Sequence, residues 1–169
     1  MTLQYVSGDL LTTSAALIAH GVAPGDDFKS GLALSLRERF PTMYKDFRHW
    51  CKSQSPKPGA VWLWAGVGAE GRAVRIAALL TQDPPHHAGG HPGRAHMEHV
   101  NHALHELRKL ILAENIQSVA LPRLATGVGG LEWDAVRPLI EKTLGGLPAA
   151  VTVYETYVKP AAARAPVSR

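Results

Sequence analysis

Six consecutive residues, Ala125-Thr126-Gly127-Val128-Gly129-Gly130, carry the plainest chemical signal in this chain. They follow a short apolar run, Val119 to Leu121 with Pro122, and lead into a helical pattern that starts at Glu132. Bare glycine backbone lets N–H groups close on an anion, and the unpaired donors of a first helical turn favour negative charge there. That is phosphate-binding chemistry. The spacing is neither a P-loop, since no Gly-Lys-Ser/Thr follows, nor a GxGxxG fingerprint. On spacing alone a plain connector remains the alternative.

Other reactive residues gather at strand ends. Asp9, in Gly8-Asp9-Leu10-Leu11, directly follows the first strand, where a carboxylate caps the next helix or accepts from the exocyclic amine of a purine. The segment His20 to Gly31 leads into a helix start and is a second anion-binding candidate or a simple surface loop. Seven histidines lie between His86 and His105. His86, His87 and His91 precede a helix and are of the type that moves protons near neutral pH. His96, His99 and His102 recur every three residues as a metal face would. They alternate with Glu98, Asn101 and Glu106, which assigns them to a solvated face, so no metal is expected. Cys51 has no motif around it and reads as a structural thiol. No GxSxG elbow supports a serine hydrolase.

The elements that must position these groups alternate. Strands are expected at Leu3–Val6, Ala15–Ala19, Val61–Trp64, Val74–Leu80, Ser118–Leu121 and Val151–Val158. Helices are expected at Gly31–Phe40, Met43–Lys52, Arg94–Ala113 and Glu132–Leu144. The third carries an apolar stripe of Met97, Val100, Leu104, Leu107 and Ile111. The pattern predicts an α/β fold, a three-layer α/β/α domain around a mixed, mostly parallel sheet, with its ligand beyond the carboxyl ends of the strands. Tyr154 and Tyr157 stand three apart on the last strand. Strict alternation sends them to opposite faces, one into the core and one to stack on a planar ligand.

With 169 residues, 46% hydrophobic and 19% charged, the chain reads as one domain over residues 1–159, followed by a disordered Ala/Pro/Arg-rich tail, 160–169. One cysteine excludes an internal disulfide and suits a cytoplasmic setting. No signal peptide and no membrane-spanning run are expected. A net charge of +4 admits a polyanionic partner, but the basic residues are dispersed rather than massed in an arm.

Taken together, GDLL (8–11), SGLALSLRERFPTMY (30–44), ALLTQ (78–82), LPRLATGVGGLEW (121–133) and VTVYETY (151–157) resemble a macrodomain, the ADP-ribose-binding α/β/α module. The subgroup they resemble holds terminal ADP-ribose glycohydrolases and the antitoxin that removes ADP-ribose from DNA. The resemblance implies that Asp9 accepts from adenine, that Gly31 and the loop before it line the distal ribose, and that Thr126 to Gly130 wrap the diphosphate. Tyr154 or Tyr157 would lie near adenine, with Leu10, His20, Ser30, Gln82 and Ala125 completing the contacts. No cofactor is implied.

The chain departs from the subgroup at its catalytic positions. Gln82 stands where the catalytic lysine would be, Gly129 where some members carry an acid, and Gly21 to Lys29 replace an Asn-rich, Met-Gly loop. A glutamine supplies neither an amine nucleophile nor a base. Should the chain cleave, Asp26, Asp27, Asp83 or a loop histidine is left to activate water. The expected function is binding of ADP-ribose, or of ADP-ribosylated protein or nucleic acid, with hydrolysis of the link as a further step. The alternatives are a silent ADP-ribose reader and a basic nucleic-acid-binding module.

Overall fold

Unbroken apolar runs become strands buried on both faces, and amphipathic runs become the helices that cover them. A computed structural model describes residues 3–68, 71–87 and 90–158. The strands are β1 (Leu3–Gly8), β2 (Leu17–Val22), β3 (Val61–Val67), β4 (Ala73–Leu80), β5 (Ser118–Pro122) and β6 (Ala150–Tyr157). The helices are α1 (Gly31–Arg39), α2 (Pro41–Gln54), α3 (Met97–Ala113) and α4 (Trp133–Leu144), with a 3-10 turn at Leu10–Thr12. One six-stranded sheet runs in the order β1-β6-β5-β2-β4-β3, parallel throughout except for the β3–β4 pair. This is the expected mixed sheet between two helical layers.

The alternation of side chains divides the core in two. Leu17, Leu79, Val119, Leu121, Val151 and Val153 point to the α3 and α4 side, where they meet Val100, Leu104, Leu107, Val136 and Ile140. Ile18, Ile76, Ala78 and Leu80 point the other way, onto Leu36, Met43 and Phe47 of α1 and α2. Each fully buried aliphatic side chain contributes about 1.5–3 kcal/mol of apolar burial.

Several boundaries differ from expectation, each for a local reason. β2 runs Leu17–Val22 rather than 15–19, because His20 and Gly21 stay in register with Ala78 and Leu79 of β4. Gly21 fits there because a Cβ would stand 2.8 Å from Thr81 Oγ1. α2 begins at Pro41 itself, since the first helical position needs no backbone N–H. α3 starts at Met97, not Arg94, because Ala95 bridges to Gln82 and holds the preceding residues extended. The expected tail, 160–169, lies outside the described residues. Among the described residues no helix is long and apolar enough to cross a membrane.

Candidate functional site

β2 and β5 are neighbours in the sheet, yet the chain leaves them for opposite faces, β2 toward α1 and β5 toward α4. The two departing loops part at the carboxyl ends, which is where open α/β sheets hold ligands. A cleft of about 580 Å³ opens there. One wall is the loop after β5, including Arg123 and Ala125 to Gly129. The opposite wall is the loop after β2, with Asp26, Asp27, Lys29, Ser30 and Gly31. His20 and Gln82 form the floor, Tyr154, Glu155 and Tyr157 close one end, and His91 reaches in from the His-rich loop. Of the residues expected to bind, Asp9, Leu10 and Gly130 stand outside this lining.

The glycine loop is braced from within. Leu131 N–H donates to the Ala125 carbonyl at 2.9 Å, Gly130 N–H to Gly127 at 3.1 Å, and the Thr126 hydroxyl to the Arg123 carbonyl at 2.9 Å. Ala125 holds φ at 64° and Gly130 at 77°, the left-handed region. The amides of Thr126, Gly127, Val128 and Gly129 donate to no protein acceptor among the described residues. Four free N–H groups beside a cleft are an arrangement able to accept an anion. At Gly129 a side chain has no room, since a Cβ would stand 2.7 Å from the Ala125 carbonyl oxygen and 2.8 Å from the Ala95 Cβ.

In the opposite wall Asp26 is 6% exposed. Its Oδ1 accepts the Phe28 amide at 2.8 Å and its Oδ2 the Ala23 amide at 3.1 Å. Burial raises its pKa above the ordinary value despite these bonds. Asp26 therefore braces the loop and lets Phe28 hold a φ of 53°. Asp27 pairs with Lys29 at 3.2 Å, and both side chains line the cleft. Ser30 stands at the N-cap of α1 without a side-chain capping bond.

The floor holds two buried polar groups. His20 is 1% exposed, packed edge-on against Phe28, with neither ring nitrogen partnered, and burial lowers its pKa to about 4. Gln82 is 5% exposed and donates its amide to the Gly93 carbonyl at 3.1 Å. Residues 93–96 act as a strap: Ala95 bridges to Gln82 and donates its N–H to Gly129 at 3.0 Å, and His96 N–H reaches Thr81 at 3.3 Å. Asp83 lies beyond the strap, outside the cleft lining, paired with His96 at 2.9 Å.

At the tyrosine end, Asp9 Oδ1 accepts the Leu11 amide at 3.0 Å and caps the 3-10 turn. The Tyr154 ring lies 3.5 Å from where a Cβ of Gly8 would be. Strict alternation fails for the tyrosines, and both line the cleft. Val6 pairs with Tyr154 and Ser7 with Thr156, so Glu155 is an extra residue, a bulge that shifts the parity. Glu155 itself lines the cleft, and the sequence does not single it out, because a period-two pattern carries no mark of a bulge.

The histidines of α3 part company. His96 turns to Asp83, His102 Nδ1 contacts the Gly59 carbonyl at 3.1 Å, and His105 Nδ1 lies 2.8 Å from the Asn101 carbonyl. Among the described residues no three His, Cys, Asp or Glu side chains are grouped to hold a metal. Cys51 is half-buried and accepts the Gly25 amide at 3.3 Å, and burial raises its thiol pKa.

Sheet order, layers and cleft define a three-layer α/β domain with its cleft at the topological switch point. The Macro domain family model matches residues 24–140, and the chain belongs to that family. It is 29% identical over 162 residues to the DNA ADP-ribosyl glycohydrolase of Thermus aquaticus, covering 95% of this chain and 43% of that protein. It is 24% identical over 153 residues to an ADP-ribose 1''-phosphate phosphatase of Lodderomyces elongisporus, covering 84% of this chain and 92% of the relative. The chain thus spans less than half the length of the Thermus glycohydrolase. The macrodomain of Thermus aquaticus DarG superposes with a TM-score of 0.76 at 28% identity, covering 90% and 97% of the two chains. Thermosipho africanus DarTG, solved in complex with ADP-ribose, shares the fold with a TM-score of 0.77 at 23% identity, over 95% of this chain and 42% of that one.

Proposed function

We propose that the cleft binds the ADP-ribosyl group of a modified protein or nucleic acid. The observation that carries this reading is the row of unpartnered amides from Thr126 to Gly129, set across the cleft from the uncapped start of α1. Two sets of backbone donors facing one space suit a diphosphate. The relatives named above act on ADP-ribosyl compounds, which supports the same ligand. In this reading the diphosphate lies along the glycine loop, the distal ribose over Gly31 and Gln82, and adenine toward Asp9, Tyr154 and Tyr157. Residues 1–159 act as one domain, and the lone thiol fits a reducing, cytoplasmic compartment. Isothermal titration with ADP-ribose tests the proposal. Micromolar binding is expected, and no heat at millimolar ligand overturns it.

Of the acids, hydrolysis, where it occurs, falls to Asp27, with His91 the loop histidine that shares the cleft lining. Gln82 is neutral and tied to Gly93, Gly129 has no space for an acid, Asp83 lies outside the lining, and both Asp26 oxygens are engaged. Asp27 would take a proton from water as the water oxygen bonds to the anomeric carbon and the link to the carrier breaks. Release of ADP-ribose from a mono-ADP-ribosylated substrate, lost in Asp27→Ala, supports this step. Binding without release leaves a reader.

A further inference from the structure

The bulge at Glu155 is pinned from outside the strand. Glu155 Oε2 accepts the Trp133 indole N–H at 2.8 Å and an Arg137 guanidinium N–H at 3.3 Å. Trp133 and Arg137 are one helical turn apart on α4, so both project from one face onto β6. Arg137 is itself held, by Glu141 at 3.2 Å and by the Tyr5 ring, over which its guanidinium sits at 4.1 Å. Tyr5 in turn donates its hydroxyl to Glu141 and meets Trp133 edge-on at 6.5 Å. The carboxylate of one bulge residue thus ties β6 to a helix whose other neighbours already fix it.

The consequence for the cleft is geometric. β6 passes the end of β5, whose last paired residue, Pro122, lies opposite Tyr154. Beyond that point only β1 pairs with β6, and a bulge there has no second neighbour to hold it. Without the extra residue, Tyr157 would sit in the parity that faces away from Tyr154. With it, both rings close the same end of the cleft. Tyr157 is 68% exposed and packs little against the protein, so its placement rests on the backbone beneath it.

We infer that Glu155 is a positioning residue that, through Trp133 and Arg137, fixes the bulge presenting Tyr154 and Tyr157 together to a planar base. It sets affinity for the base-bearing half of the ligand and leaves the diphosphate cradle unchanged. The inference rests on the proposed function, because the base is that of ADP-ribose.

The test compares AMP, which carries the base, with ribose 5-phosphate, which has a sugar phosphate and no base. Binding is followed by NMR shifts of the Gly127 and Gly129 amides, and thermal melting reports the fold. Glu155→Ala, and deletion of Glu155 to restore regular pairing, are expected to weaken AMP at least 10-fold and ribose 5-phosphate less than 2-fold. Glu155→Gln keeps an acceptor for the indole and is expected to fall between. Trp133→Phe leaves the carboxylate in place but removes one of its donors, and it should lower AMP affinity as well. If Trp133→Phe binds AMP as the wild type does while Glu155→Ala does not, Glu155 touches the ligand directly and the positioning role is wrong. Equal loss of both ligands, or no loss of AMP, also overturns it. Should deletion prevent folding, the alanine and phenylalanine variants decide. Wild-type protein that binds neither ligand overturns the proposed function and this inference with it. Wild-type protein that binds both, with variants that do not discriminate, overturns the inference alone.

Discussion

Ala95 and Gly129 are locked together: the Ala95 amide donates to the Gly129 carbonyl at 3.0 Å, and the Ala95 Cβ stands 2.8 Å from where a side chain at 129 would begin. The strap over Gln82 and the glycine loop are thereby one packed unit, in which position 129 admits only a hydrogen. Gly129→Ala is expected to cost about 1–3 kcal/mol of stability, as overpacking does. It should also weaken ADP-ribose at least 10-fold, because the Ala125 carbonyl must move and the loop amides move with it. Gly129→Asp would not install an acid on an unchanged loop, so no gain of hydrolysis is expected from it. Calorimetry and a chemical melt on each variant check this; wild-type affinity in Gly129→Ala would falsify the cradle assignment.

Much of this arrangement is legible in the sequence, and the rest fails for identifiable reasons. Apolar runs such as Ala77 to Leu80 and Val119 to Leu121 mark strands buried on both faces, and the stripe from Val100 to Ile111 marks α3. The sequence pattern ends β2 early because a histidine and a glycine read as a loop. Their burial is decided by register with β4 and by the space that Thr81 needs, and neither is local. Strict alternation sends the two tyrosines to opposite faces because the bulge at Glu155 depends on contacts with α4, across a helix-to-strand connection. In the sequence Asp26 reads as a free acid, and only the fold of its loop turns it into a brace.

Asp9 separates two roles that the sequence could not. Its Oδ1 caps the 3-10 turn, while Oδ2 accepts from no donor among the described residues. Asp9→Asn keeps a capping oxygen but turns an amide N–H toward the position where an exocyclic amine would donate. Stability within about 0.5 kcal/mol of wild type is expected, because Asn and Asp cap about equally well. ADP-ribose affinity is expected to fall about 10-fold, from the loss of a charge-assisted acceptor. Unchanged affinity in a folded Asp9→Asn protein would leave the residue a cap alone.

Asp26→Ala strands two buried backbone donors, Ala23 N–H and Phe28 N–H, at about 1–3 kcal/mol each. A loss of about 2–6 kcal/mol in urea unfolding is expected, with Asp26→Asn losing about half of that because one acceptor oxygen remains. The same pair of variants tests a catalytic role. A protein with wild-type stability and no turnover would show that Asp26 acts on water rather than on its own loop.

His20 makes the fold sensitive to acid. It is fully buried and neutral, with a pKa lowered by burial from 6.5 to about 4. As pH falls below 6.5 the unfolded chain takes up a proton that the folded chain refuses. Stability is therefore lost progressively from about pH 6.5 down to about 4, by about 3 kcal/mol in all. Asp26 acts with the opposite sign. Its raised pKa means that burial favours its neutral form, giving stability at low pH that is lost as pH rises through the raised value. The difference between wild type and His20→Asn isolates the histidine, because Asp26 titrates in both. Urea melts at half-unit steps from pH 4 to 7.5 should show the variant gaining on the wild type as pH falls. Parallel curves would mean that the imidazole finds a partner on the cleft floor, and that its two unpartnered nitrogens are satisfied in solution.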